Sequence, residues 1–261
     1  MAFTVIPSTL FLGKVWQHFD ELPSTNDFLA NSGIYTEGSL VTTFNQTAGR
    51  GQMGNRWLSE PNQNLAFSIR LNPTFLQANE QFHLNKAVAL AVHDVVEKYI
   101  SNAVQSFNKN VSVKWANDIF IGDKKVGGIL IQNNLSGSLL QSSIIGIGLN
   151  INQLVFSKDL NATSLRLETG QLFDLFDCIE ALTKGIEQRY LQIKSAVPFS
   201  EIHDEYLSKM YRFGVEAIFR RAIDDSVFMG KIVGVSSMGQ LEIMSNRGIE
   251  MFDIKEVKFG I

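Results

Sequence analysis

The sequence predicts an α+β fold: a mixed, mainly antiparallel sheet with packed helices, followed by a small all-β module. Three observations carry this expectation. Short β-rich runs separated by turn residues recur through the first part of the chain. Two long segments, Phe82 to Ile100 and Leu172 to Ile193, instead repeat apolar residues at helical spacing. From Val215 onward the pattern becomes closely spaced strands with no helical period, as in a small barrel-like module. The division falls at Gly214, giving residues 1–213 as the larger domain and 214–261 as the smaller.

The elements follow in order. Val15 to Phe19 reads as a strand. Pro23-Ser24-Thr25-Asn26-Asp27 then opens a helix, with Ser24 and Asp27 at capping-box spacing. Leu40 to Phe44 and Leu65 to Leu71 are strands, and Phe82, Val88, Ala91, Val92, Val95, Val96 and Ile100 mark one face of a long helix. Val111, Val113 and Trp115 alternate with Ser112 and Lys114, and Ile119 and Ile121 continue the run. Gly122-Asp123 turns the chain into a return arm through Val126, Ile129 and Ile131, and Ser142 to Ile151 adds another strand. After the helical segment Leu172 to Ile193, another helix follows Pro198 and is expected to end at Gly214 as its C′ residue. Val215–Ile223, Phe228–Val235, Leu241–Ser245 and Ile249–Phe252 are the strands of the smaller module.

Composition excludes several classes. With 45% hydrophobic and 19% charged residues, the 261-residue chain can bury a sizeable core. A net charge of −3 gives no field that would hold a polyanion, so any anion site must be local. The single Cys178 rules out an internal disulfide and suits a reducing compartment. Met1 to Gly13 has no basic region and no long apolar run, so neither signal peptide nor membrane span is expected, and the location expected is cytoplasmic. The four histidines (His18, His83, His93, His203) are too scattered for a metal-ligand motif, and no metal site is expected of them.

Gly49-Arg50-Gly51-Gln52-Met53-Gly54 formally matches a dinucleotide fingerprint, yet Asn55-Arg56-Trp57-Leu58-Ser59-Glu60-Pro61 starts no helix, and the Gly-Lys-Ser/Thr ending of a P-loop is missing. A bare glycine motif is more often a flexible turn. Here, however, Arg50 stands between glycines with Arg56 and Trp57 close behind: backbone donors, a guanidinium and an aromatic face, suited to a loop folding over an adenylate. Lys114-Trp115-Ala116-Asn117-Asp118 reads first as a strand with polar residues toward water and a turn at Asn117-Asp118. Gly127 and Gly128 inside a strand, after Lys125, mean that something approaches that backbone; Gly146 and Gly148, two apart, leave a trough on one strand face. Ser24, Thr25, Asn26 and Gln46 offer donors and acceptors for a small polar head group, alongside the capping role.

In order, Ser24-Thr25-Asn26, Gln46 through Trp57, Lys114 through Asp118, Lys125-Val126-Gly127-Gly128-Ile129 and Gly146-Ile147-Gly148-Leu149-Asn150 resemble the bacterial biotin–protein ligases, from about Val15 to Asn152. The resemblance implies a class II synthetase-like catalytic domain and, at the C-terminus, an SH3-like β-barrel. It also implies ATP-dependent biotinylation of a lysine on a biotin carboxyl carrier protein through biotinyl-adenylate, with ATP, Mg2+ and biotin as the small molecules. On that footing Ser24, Thr25, Asn26 and Gln46 line the ureido pocket, with Gly127 and Gly128 beside the biotin. Arg50, Gly51 and Gln52 close over biotin and the adenylate, and Trp57 stacks on adenine. Lys125 holds the biotin carboxylate and then the α-phosphate, while Arg56, Lys114, Asn117, Asp118 and Asn150 organise the ATP side. Lys125, Arg50 and Lys114 are the expected catalytic groups.

Two departures stand out. Ala116 occupies a position that is often proline in the family, and Gln52 and Met53 stand where arginine is common, which removes positive charge from the loop. Only 23 residues precede Ser24, too few for the DNA-binding domain some members carry, so no DNA partner is expected. Strand edges and the small module leave a homodimer open. A lipoate ligase shares the implied architecture, and the Gly-Arg-Gly loop with Lys-Trp-x-Asn-Asp speaks for biotin.

Overall fold

The computed structural model describes residues 7–104, 109–195 and 197–260, with nothing stated for the Met53 side chain. The first six residues of the N-terminal stretch lie outside these. All fourteen expected elements recur with shifted ends, the run from Val111 to Ile121 as two strands. The helix behind Ser24 is α1 (Thr25–Asn31); Ser24 Oγ accepts the amide of Asp27, one half of a capping box. The long periodic segments become α2 (Phe82–Ser101) and α4 (Leu175–Lys194), which pack against each other.

Seven strands form the larger sheet: β1 (Trp16–Phe19), β2 (Leu40–Thr43), β3 (Asn64–Leu71), β4 (Val111–Lys114), β5 (Asp118–Ile121), β6 (Lys124–Ser136) and β7 (Leu139–Asn150). Their order is β1-β2-β3-β7-β6-β5-β4, antiparallel except for the β1–β2 pair. The stretch that alternates from Val111 to Ile121 is therefore a hairpin, turning at Trp115 to Asn117 rather than running on.

The period of two along the strands divides the sheet chemically. Leu65, Phe67 and Ile69 on β3 and Ile145, Ile147 and Leu149 on β7 are buried in the main core together with α2 and α4. Their alternates face α1. There Ala66, Gly148 and Gly128 lie side by side across β3, β7 and β6, and Ser68, Gly146 and Leu130 form the next row. Of these six, all but Leu130 have little or no side chain, which leaves open space between the sheet and α1.

The smaller module is a second sheet: β8 (Glu216–Arg221), β9 (Val227–Val235), β10 (Leu241–Ser245), β11 (Gly248–Phe252) and β12 (Val257–Phe259). Its order is β11-β10-β9-β8-β12, all antiparallel. Among the described residues the edge strands β11 and β12 do not pair, so the expected barrel is an open five-stranded sheet. Its inner residues Phe219, Ile232, Leu241 and Ile243 belong to the same core as α2, and the Trp115 indole donates to the Gly239 carbonyl at 2.9 Å.

One local expectation changes and two short elements are added. The helix after Pro198, α5 (Phe199–Ser208), ends six residues before Gly214, because Met210 and Tyr211 leave it to bond alongside Val113 on β4. Residue Gly214 has φ of +73° but caps no helix. A five-residue helix, α3 (Leu165–Thr169), is capped by Ser164 and was too short to show a period; β12 was too short to stand out as a strand. No helix among the described residues is long and apolar enough to cross a membrane.

Candidate functional site

The space between the sheet and α1 is a cavity of about 140 Å³. Its lining includes Ser24, Thr25, Asn26, Gln46, Arg50, Gly51, Gln52, Arg56, Trp57, Asn117, Asp118, Lys125 and Gly128, segments far apart in sequence. Gly127, Lys114 and Asn150 stand outside it.

One end is polar and buried. The backbone amide of Thr25 donates to the Gln46 side chain at 2.9 Å. Because a backbone N–H can only donate, the amide atom it meets must be Oε1, and Nε2 is left to donate elsewhere. The Thr25 hydroxyl reaches the same oxygen at 3.2 Å and the Ser68 hydroxyl at 2.8 Å. Asn26 is 5% exposed; its Nδ2 bonds the Leu130 carbonyl at 3.4 Å, while its Oδ1 is buried with no partner. A side chain at Gly146 would place its Cβ 2.7 Å from that Nδ2, so the glycine is what admits Asn26 to the sheet. Ser68, a cavity-side polar group on β3, was not singled out in the sequence; its signal was a lone serine among Leu65, Phe67 and Ile69.

The other end carries charge. Lys125 Nζ lies 2.7 Å from Asp118 Oδ1, both partly exposed to the cavity. The Trp57 ring lies over Gly148, in contact with the space a side chain there would fill, and Lys125 Nζ sits 5.7 Å from the ring centroid. Both partners of the Lys125 main chain come from the segment before α3: its N–H donates to Asn161 and its carbonyl accepts from Thr163.

The glycine loop closes on itself above. Trp57 N–H donates to Gly49 O at 3.0 Å, and Gly51 N–H to Asn55 O at 2.7 Å. A Cβ at Gly49 would meet the Trp57 carbonyl at 2.5 Å and Gln46 Nε2 at 2.6 Å. The loop continues into a single 3-10 turn at Gln52–Gly54, not a long helix, and Arg50 Nη1 reaches Asp27 Oδ1 of α1 at 2.5 Å.

The three residues outside the cavity have other neighbours. Gly127 is on the core side, where a Cβ would press on Leu149 at 3.0 Å. Asn150 donates to the Thr163 carbonyl at 3.0 Å, its Oδ1 buried without a partner. Lys114 Nζ lies 4.8 Å from the Phe120 ring centroid and 4.9 Å from that of Phe259; burial pushes its pKa below the ordinary lysine value, against the opposing pull of Asp118. His93, buried on α2, groups with Asp94 and Glu97, but Arg189 and Lys209 already pair with those carboxylates.

Residues 18–150 match the model of the biotin/lipoate A/B protein ligase family. The chain is 31% identical over 260 residues to the bifunctional ligase/repressor BirA of Bacillus subtilis, covering 97% of this chain and 76% of that protein. It is 28% identical over 223 residues to the biotin–[acetyl-CoA-carboxylase] ligase of Paracoccus denitrificans, covering 82% and 88% of the two. Among solved structures, the biotin protein ligase of Aquifex aeolicus in complex with biotin and ATP superposes with a TM-score of 0.76 at 28% identity, over 95% of this chain and 99% of that one.

Proposed function

The chain belongs to the biotin/lipoate A/B protein ligase family, and from that premise we propose that it is an ATP-dependent ligase acting on biotin. It activates biotin as biotinyl-adenylate, releasing pyrophosphate, and attaches it to a lysine of a biotin carboxyl carrier protein, releasing AMP.

The observation that carries this reading is the polarity of the cavity from end to end. At the buried end, a fixed donor (Gln46 Nε2) and an unpartnered acceptor (Asn26 Oδ1) complement a cyclic urea, which offers a carbonyl and N–H groups. At the other end, Lys125 meets the carboxylate and then the α-phosphate that replaces its charge. Trp57 offers a face to adenine, and Arg50 and Arg56 supply donors to phosphate at the mouth. Catalysis is then alignment and charge neutralisation: Lys125 and Arg50 bring the carboxylate oxygen to the α-phosphorus and offset the charge that develops. With the loop down over the mixed anhydride, water is kept out until the carrier amine attacks.

ATP enters with Mg2+, which prefers oxygen ligands; Asp118, a carboxylate on the cavity wall, would hold it together with the phosphates. Lys114 and Asn150 would join the ATP side only by moving from their present partners. We also assign residues 214–261 as a small domain, the open counterpart of the family's SH3-like module, on the strength of its self-contained strand order, packed on the larger domain through a shared core.

The test measures thermal shift with biotin and with lipoate at equal concentration, then covalent labelling of a carrier domain with radiolabelled biotin and ATP. Biotin at about 100 times its Kd should stabilise by about 2.7 kcal/mol, lipoate far less, and the carrier should become labelled. Stabilisation by lipoate alone would overturn the head-group assignment.

A further inference from the structure

Asp27 stands at the third position of α1, where a capping box would turn its side chain back to the Ser24 amide. It goes elsewhere. Ser24 Oγ accepts the Asp27 amide at 3.2 Å, and the Asp27 carboxylate reaches across to Arg50 Nη1 at 2.5 Å. The two residues are 23 apart in sequence, and Arg50 projects from a loop otherwise tied down through its backbone, by Trp57 to Gly49, Gly51 to Asn55 and Ala48 to Pro23. None of those bonds fixes where the guanidinium points.

We propose that Asp27 is a positioning residue that holds the Arg50 guanidinium at the cavity mouth, beside the helix turn carrying Thr25 and Asn26. A guanidinium has five donors in a rigid plane, so a single bond through Nη1 leaves others to face an anion bound between Arg50 and Lys125. The pair is half exposed, and such pairs contribute little to folding stability. Its consequence is therefore expected in the rate of the reaction and not in the melting temperature. This rests on the ligase reading above, and concerns an acidic residue outside the set assigned to biotin or ATP.

The experiment is a double-mutant cycle on the full chain, read by biotin-dependent ATP–pyrophosphate exchange. Asp27→Asn keeps the size and the helix but removes the charge. It is expected to lower kcat about tenfold, less than the roughly hundredfold that a 1 Å misplacement of a catalytic group can cost, with the KM for biotin and the melting temperature little changed. Asp27→Glu should recover most of the rate. In an Arg50→Ala background, Asp27→Asn should cost nothing further, since the residue acts only through Arg50. A second tenfold loss in that background, or full activity of Asp27→Asn alone, overturns the proposal. Absence of exchange in the unaltered chain overturns the ligase reading itself, a distinct result.

Discussion

Two pairs of strand glycines, one in each sheet, present the same sequence signal with opposite meanings. On β7, Gly146 and Gly148 clear space on the face toward α1, and what enters is the Asn26 amide and the Trp57 indole. On β9, Gly230 and Gly234 clear space for neighbours within the smaller sheet: a Cβ at Gly230 would lie 2.6 Å from Ile243 Cγ2, and Gly234 stands against the Glu242 carboxylate. The comparison teaches that glycine in a strand reports a close approach without naming the visitor. In one place the visitors line a cavity, in the other they are neighbours within the same small sheet.

Alanine at each site separates the two meanings. Gly148→Ala should have the largest functional effect, because the Trp57 main chain is bonded to Gly49 and only its ring can give way. Loss of a base-stacking face of about 1–3 kcal/mol should raise the KM for ATP roughly tenfold or more, with unfolding free energy little altered; steady-state kinetics beside urea denaturation checks both. Gly230→Ala should do the reverse. Overpacking against Ile243 and the Met244 carbonyl should cost about 1–3 kcal/mol of stability, while kcat and KM of the folded fraction stay unchanged. Equal kinetic defects in the two variants would break the comparison. Gly128→Ala should be mildest. Its new methyl group meets Lys125 Nζ at 3.1 Å, the far end of a flexible chain that can change rotamer for about 0.5–1.5 kcal/mol, so exchange should slow only about two- to tenfold.

The legible part of the site was the part written in short spacings. Ser24, Thr25 and Asn26 were readable because a cap and its helix are local, and the Arg50 loop because glycines and cations crowd one short segment. The glycine pairs announced a groove, and Lys125 and Gly128 line it. Ser68 was not readable, since its role depends on which face of β3 meets α1. Lys114 read from its neighbours as a strand residue toward water, and only the resemblance put it on the ATP side; its side chain lies by Phe120 and, from the last strand, Phe259. Gly127 and Gly128 were indistinguishable as a pair, although alternate sides of a strand send them to the core and to the cavity.

The sequence by itself determined the α+β class, the two long helices, nearly every strand and the ordered motifs, because each follows from periodicity, capping or turn chemistry within a dozen or so residues. Only the tertiary structure decided that the smaller sheet stays open, that α5 ends early beside β4, and that Asp27 turns from its own helix cap to Arg50. Those outcomes depend on contacts between segments distant along the chain, whose energies no local pattern records.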